Sequence, residues 1–250
     1  MPSFRHDGIE IAYLDEGQGE PIVLVHGFAS NKETNWVRSG WVEALNDAGR
    51  RAIALDNRGH GASTKFYDPA DYSLEKMGGD VVALMDHLKI DRADVLGYSM
   101  GGRITGLVAA AHGSRVRAAI LSGIGIRLVQ GGGNAEIIAA ALEAPSRADV
   151  KEQLALEFRV FAEQTRSDLK ALAACMRAPM RTITREQAAS IRVPVLIATG
   201  TADTIAGPGR SLAALIPGAE VLDIPGRDHM RAVGDPVFKQ GALEFLARRP

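Results

Sequence analysis

The pentapeptide Gly97-Tyr98-Ser99-Met100-Gly101 constrains this chain more than any other feature of its sequence. The short apolar run Ala93 to Leu96 precedes it, and an apolar stretch of helical character, Gly101 to Ala111, begins almost at once after it. A serine caught between a buried strand and a helix must occupy a sharp, strained turn, so its neighbours two positions away must be small. Such a turn lifts the hydroxyl clear of the sheet. It also sets the hydroxyl at a helix N-terminus, where free N–H groups and the dipole favour developing negative charge.

The rest of the chain supplies a matching frame. Ile9 to Tyr13 alternates apolar and polar residues, which predicts a half-exposed strand near a sheet edge. Ile22 to Val25 and Ala52 to Leu55 are solid apolar runs, the pattern of strands buried on both faces. Val116 to Leu121, Val193 to Ala198 and Glu220 to Ile224 complete the strands. Helical spacing appears from Trp41 to Ala48, ending at Gly49, and from Ser73 to Leu88, with Leu74, Met77, Val81, Leu84, Met85 and Leu88 near one side. A last helix starts at Asp235-Pro236, a capping residue followed by a first-turn proline. Strands alternating with helices predict an α/β fold with a mainly parallel central sheet flanked by helices.

One long stretch breaks the alternation. Between Ile124 and Arg185 no strand pattern occurs. A glycine cluster, Gly131 to Gly133, is followed by helical patches at Ala135 to Glu143, Val150 to Glu163 and Asp168 to Arg177. The expected organisation is a core of residues 1–123 and 186–250 with a helical lid, residues 124–185, inserted over the carboxyl edge of the sheet. Phe158, Phe161 and Met176 are candidates to line a pocket beneath it, or to form the lid's own core; the substrate-binding residues are unknown at this level.

Bulk properties narrow the partners. A length of 250 residues suits one large α/β domain with a small insertion. The net charge of −1, with no long basic run, gives no face for nucleic acid. No apolar run approaches the ~18 to 20 residues that span a bilayer, and Met1 to Glu10 lacks the apolar core of a signal peptide. The single cysteine, Cys175, permits no intramolecular disulfide and reads as a small buried apolar residue. The expectation is a cytoplasmic protein that acts on a small molecule, with no membrane or nucleic-acid partner.

A serine hydroxyl is a poor nucleophile near neutral pH and needs a base. Of the six histidines, His229 stands in the loop Pro225-Gly226-Arg227-Asp228-His229, after the last strand and before the last helix. In a parallel sheet that loop lies on the carboxyl edge, beside the serine turn. His6, His60, His87 and His112 sit in a strand, a glycine-rich loop and near helix ends, and His26 reads as a structural residue holding the loop after Val25. The base needs an acceptor for its second ring N–H. Asp203, in Gly200-Thr201-Ala202-Asp203, follows a strand on the same edge. Asp228, adjacent to the base, and Asp223, within a strand, are its rivals. Strand Val116 to Leu121 ends in Ser122-Gly123, with no carboxylate. An oxyanion formed on attack needs two N–H donors. The backbone amides of Met100, next after the serine, and Phe28, after Gly27, are the candidates. No metal or organic cofactor is required.

His26-Gly27-Phe28, Asp56-Asn57-Arg58-Gly59-His60-Gly61-Ala62-Ser63, Gly97-Tyr98-Ser99-Met100-Gly101-Gly102, Gly200-Thr201-Ala202-Asp203 and Asp228-His229 run in the order found in the α/β-hydrolase superfamily, which this chain resembles. The second of these resembles a turn that is usually structural in that superfamily. The elbow and short lid are similar to those of serine carboxylesterases, cofactor-free haloperoxidase-like perhydrolases and carbon–carbon bond hydrolases. Ser99 stands where epoxide hydrolases and haloalkane dehalogenases carry aspartate. Tyr98 occupies the place where meta-cleavage carbon–carbon hydrolases often carry asparagine. The resemblance implies a serine esterase of small to medium acyl groups, with Ser99, His229 and Asp203 as catalytic residues. A carbon–carbon hydrolase, a perhydrolase and a non-catalytic receptor on the same scaffold are the alternatives.

Overall fold

The computed structural model describes residues 2–178 and 182–249. Strands β1 (Ser3–His6), β2 (Ile9–Glu16), β3 (Glu20–Val25), β4 (Arg50–Leu55), β5 (Ala93–Tyr98), β6 (Val116–Ser122), β7 (Val195–Gly200) and β8 (Glu220–Ile224) form one sheet in the order β1-β2-β4-β3-β5-β6-β7-β8. β1 and β2 pair antiparallel, as do β2 and β4; every other neighbour is parallel. The helices are α1 (Trp41–Asp47), α2 (Leu74–His87), α3 (Met100–Ala111), α4 (Arg127–Gln130), α5 (Ala135–Glu143), α6 (Gln153–Gln164), α7 (Leu169–Arg177), α8 (Arg185–Ser190), α9 (Gly209–Ala213) and α10 (Pro236–Arg248).

Side-chain alternation along the central strands divides the core. Val23 and Val25 of β3 face one layer with Ile53, Leu55 and Val95, covered by α2 and α3. Ile22 and Leu24 face the other, with Ala52, Ala54, Leu96 and Ile120, covered by Trp36, Trp41 and Phe238. These strands therefore read as unbroken apolar runs because both faces are buried. The half-exposed strand expected at Ile9 to Tyr13 is β2, one place in from the edge. The edge strand β1 is four residues long with only Phe4 buried, too short a pattern to show in the sequence.

Capping residues set the helix starts. Ser73 accepts from the Lys76 amide at the head of α2, and Asp235 accepts from the Val237 amide before Pro236 in α10. Among the described residues between β6 and β7, every regular element is helical. α5 matches the expected helix residue for residue, α6 begins at Gln153 rather than Val150, and α7 begins one residue after its capping Asp168. Pro179, Met180 and Arg181, which fall within the expected lid range, lie outside the described residues, as do Met1 and Pro250. Among the described residues, no helix is long and apolar enough to cross a membrane.

A buried polar network braces the loop after β3. Asp56, at the end of β4, accepts from the Lys32 amide (2.8 Å), from Lys32 Nζ (2.5 Å) and from the Ala62 amide (2.8 Å). Arg58 forks onto both oxygens of Asp80 at 2.8 Å. The Asn57 amide donates to His26 Nε2 at 3.0 Å. A backbone N–H can only donate, so Nε2 is the bare nitrogen, and Nδ1 carries the proton that reaches Gly27 O at 2.8 Å. His60 lies 5.3 Å from His26 and edge-on to Phe28, its Nε2 meeting no protein partner. Burial, and then the neighbouring His26, push the His60 imidazole from 6.5 down to about 3. Burial likewise lowers His26.

Two predictions follow from this packing. Trp41 donates Nε1–H to Val233 O at 2.6 Å and meets the fully buried Phe238 edge-on at 4.8 Å, which pins α10 beside the His229 loop. Phe238→Ala is expected to cost about 3–5 kcal/mol in urea unfolding; a loss below ~1 kcal/mol contradicts that anchoring. The second concerns acid. The unfolded chain protonates these histidines near the ordinary value of 6.5, whereas folded His60 resists protonation down to about 3. The native state thus binds fewer protons through that window, so stability is complete above pH 6.5 and falls as pH drops, by up to ~1.4 kcal/mol per pH unit for each such histidine. Between pH 6.5 and 5, above the carboxylate range, His60→Asn is expected to flatten the decline in Tm. Superimposable Tm–pH curves sink the assignment.

Candidate active site

β5 ends at Tyr98 and α3 begins at Met100, which leaves Ser99 alone in the turn with φ 56° and ψ −112°. That conformation strains any residue with a β-carbon, by ~1–3 kcal/mol. The turn closes because its flanks are glycines. A β-carbon on Gly97 would stand 2.0 Å from Gly101 O, and one on Gly101 would stand 1.9 Å from Val25 O. The Ser99 amide donates to Ser122 O at 2.8 Å, tying the elbow to β6.

The three side chains singled out in the sequence meet here. Ser99 Oγ lies 2.9 Å from His229 Nε2, and His229 Nδ1 lies 2.8 Å from Asp203 Oδ2. Asp203 follows β7 and His229 follows β8, so both loops leave the carboxyl edge of the sheet, next to the elbow that follows β5. Burial alone would raise the Asp203 carboxyl. Hydrogen bonds from His229 and from the Ile205 and Ala206 amides outweigh it and hold the group below the ordinary carboxylate range. An ionised carboxylate only accepts, so Nδ1 carries the proton and Nε2 is free to accept from the serine.

Neither rival acid takes part. Asp228 Oδ1 caps the turn ahead of it, accepting from the Met230 and Arg231 amides. Asp223 pairs with Arg210 at 2.5 Å. The other histidines are placed elsewhere: His6 against Asp7, His87 stacked on Phe4, and His112 at the end of α3.

The loop after β3 is set by its peptide planes. Gly27 O accepts from His26 Nδ1 at 2.8 Å and from the Ser30 amide at 3.2 Å. Asn35 Oδ1 accepts from the Gly27 amide at 3.2 Å. In a trans peptide the C=O and the following N–H point opposite ways. The Phe28 N–H is therefore directed away from His26 and Ser30, and Gly27, Phe28 and Ser99 all line the same cavity. Met100 opens α3, so its N–H has no partner within the helix.

The cavity holds about 780 Å³, within the range of small-molecule sites. Its apolar lining includes Phe28, Phe158, Phe161, Ile205, Met230 and Val233. Phe158 and Phe161 thus line the cavity, whereas Met176 packs against the large apolar core that continues from the sheet into the helices between β6 and β7. Among the charged lining residues are Glu157, Asp228 and Arg231, and Arg231 lies 3.7 Å from Asp228. Tyr98 is the residue that sequence reasoning missed. Its buried hydroxyl donates to the backbone carbonyl of His229 at 2.5 Å, and its ring stands 5.6 Å from the imidazole. Only its position beside Ser99 marked it in the sequence. Among the described residues, no cluster of three or more His, Cys, Asp or Glu side chains could hold a metal ion.

Comparison with known proteins agrees with this geometry. The family model for the alpha/beta hydrolase fold matches residues 20–142. A non-heme chloroperoxidase of Kitasatospora aureofaciens is 38% identical over 116 residues, 46% of this chain and 40% of that protein. That match therefore spans well under half of the relative's length. Among solved structures, the enol-lactonase of Burkholderia xenovorans LB400 superposes with a TM-score of 0.78 at 27% identity, covering 99% of this chain and 100% of the other. An N-acyl homoserine lactone degrading enzyme superposes with a TM-score of 0.76 at 26% identity, covering 98% and 99%. With its eight-stranded, mainly parallel sheet, its serine elbow between β5 and α3 and these likenesses, the chain belongs to the α/β-hydrolase superfamily.

Proposed function

We propose that this chain hydrolyses carboxylic esters of small to medium acyl groups through an acyl-enzyme on Ser99. The observation that carries the reading is the unbroken hydrogen-bonded series Ser99–His229–Asp203 in the wall of a largely apolar cavity. Ser99 Oγ attacks the carbonyl carbon as His229 Nε2 takes its proton. Asp203 stabilises the imidazolium that results. The Phe28 and Met100 amides hold the oxyanion; losing one such donor typically costs ~10²- to 10³-fold in rate. The intermediate collapses, His229 Nε2 gives the proton to the departing alkoxide, and the acyl group stays on Ser99. Water, deprotonated by His229, then attacks the acyl carbon; the bond to Ser99 Oγ breaks as His229 Nε2 returns the proton to that oxygen, and the acid is released.

The lining favours neutral substrates. A meta-cleavage dienoate carries a carboxylate, and the cation Arg231 is already beside Asp228, so the ester reading is preferred to carbon–carbon hydrolysis. Lactones fit the same steps, since a cyclic ester differs only in keeping its leaving alcohol tethered. The enol-lactonase and acyl homoserine lactone enzymes among the structural relatives support including them. The chloroperoxidase likeness supports a second outcome for the same intermediate. Hydrogen peroxide in place of water would attack the acyl-enzyme, releasing a peracid and regenerating the Ser99 hydroxyl.

Turnover of p-nitrophenyl acetate and butyrate tests the proposal. The wild type is expected to hydrolyse both, and Ser99→Ala to lose at least ~10⁴-fold in kcat, because a triad acts as a unit. A folded wild type that turns over neither ester refutes the esterase reading. Tyr98→Phe probes the tie between elbow and base: it removes the hydroxyl that holds the His229 carbonyl. It is expected to lower kcat about tenfold, equivalent to ~1.4 kcal/mol, with KM within about twofold. An unchanged kcat shows that the His229 loop keeps its place without that bond.

A further inference from the structure

Helix α6 and the loop after β3 touch at two points. The Phe158 ring stands edge-on to Phe28, with centroids 5.9 Å apart. Just past the end of α6, Thr165 Oγ1 lies 2.8 Å from the carbonyl oxygen of Ala29, 136 positions away in sequence. Ala29 has φ +59° although it is not glycine. A residue with a β-carbon keeps that conformation only where its surroundings hold it.

The Thr165 hydroxyl has one proton to give. Ala162 O at 3.0 Å and Phe161 O at 3.2 Å, both in α6, are alternatives, and Ala29 O is the nearest of the three. Ser167 Oγ, 2.9 Å away, can donate to Thr165, which leaves the threonine's own proton for a carbonyl.

Peptide planarity carries this contact into the site. Fixing Ala29 O fixes the opposite end of the same peptide, the Ser30 N–H. That N–H donates to Gly27 O at 3.2 Å. Gly27 O shares a plane with the Phe28 N–H, which points the other way. Two clasped peptides, Ala29–Ser30 and Gly27–Phe28, therefore connect α6 to one oxyanion donor. We infer that Thr165 is a positioning residue for the oxyanion hole, so that the seating of α6 sets the aim of the Phe28 amide. The inference rests on the reading of Phe28 N–H as an oxyanion donor. Because Phe161 of the same helix lines the cavity, an acyl group that presses on α6 also acts on the hole.

Thr165→Val removes the hydroxyl at nearly constant shape, and Thr165→Ser keeps it. Three readouts separate positioning from stability: kcat and KM with p-nitrophenyl butyrate, inhibition by phenylboronic acid (a tetrahedral adduct on serine), and amide hydrogen exchange at Ser30. Thr165→Val is expected to lower kcat about five- to thirtyfold, a part of the ~10²- to 10³-fold cost of losing a donor outright. KM stays within about twofold, boronate affinity falls by a factor similar to kcat, and the Ser30 amide exchanges faster. Thr165→Ser stays near the wild type on all three. Wild-type kcat and boronate affinity in folded Thr165→Val overturn the proposal, as does a kcat loss without faster Ser30 exchange. If the wild type hydrolyses no ester, the esterase reading itself has failed. Ser30 exchange then decides the tie alone: faster exchange in Thr165→Val sustains it and unchanged exchange overturns it.

Discussion

The approach of Gly101 to the carbonyl of Val25 is the contact on which the site depends. At 1.9 Å from a hypothetical β-carbon to that oxygen, no side chain fits, and β3 and the head of α3 can close only as bare backbone. That closure forces Ser99 into its positive φ. It also brings the loop after β3, with Gly27 and Phe28, alongside the serine: a β-carbon on Gly27 would stand 3.4 Å from Ser99 Cβ. The strain persists because β3 and β5 are buried on both faces and cannot shift to relieve it. Ser99 and the loop that carries Phe28 are thus positioned by one piece of packing. Tyr98, on the same strand end, extends that control to the His229 backbone.

Beneath the loop the protein keeps charge and hydrogen-bond donors where a core would ordinarily be apolar. Lys32 and Asp56, and Arg58 and Asp80, are ion pairs with side chains no more than 5% exposed. Buried pairs of this kind add little net stability over apolar residues of similar volume. What they supply here is direction. Lys32 and Ala62 fix Asp56, Asn57 fixes the His26 tautomer, and His26 fixes the Gly27 carbonyl. The same region bears a cost. Ser30 Oγ, Asn35 Nδ2, Asn57 Oδ1 and His60 Nε2 are buried with no protein partner, and all lie in the two segments that follow β3 and β4. An unmet buried donor or acceptor costs ~1–3 kcal/mol, so the segments that orient the site carry a stability cost.

The sequence made legible what depends on local pattern. Unbroken apolar runs gave β3 and β4, and the spacing of glycines about Ser99 gave the elbow. Position along the carboxyl edge put Asp203 and His229 beside Ser99, because a parallel sheet delivers every such loop to one side, whereas Asp223 lies within a strand and Asp228 is adjacent to the base. What stayed hidden depends on partners distant in the chain. Tyr98 reaches His229 O across 131 positions and Thr165 reaches Ala29 O across 136, and neither bond leaves a periodicity. β1 presents a single buried side chain, too little for a pattern. Phe158, Phe161 and Met176 look alike as apolar residues on amphipathic helices, yet two line the cavity and the third packs against the main apolar core. An apolar stripe says that a face is covered, not what covers it.

The electrostatics favour a reacting site over a binding site on the same scaffold. Asp203 is held ionised although its side chain is fully buried, and its two amide donors stay satisfied whether or not His229 is charged. A neutral imidazole gains little from so expensive an acceptor beyond orientation. An imidazolium gains far more, since the carboxylate interacts with it in a setting that screens poorly. In the proposed reaction that cation exists only while Ser99 is attacking or leaving. In the same proposal, the Phe28 and Met100 amides would meet a full negative charge in the tetrahedral intermediate and only a carbonyl dipole before it. Interactions that strengthen at that point raise the rate, whereas equal binding of substrate and transition state does not. A receptor would need neither the strained serine nor the buried anion behind the histidine.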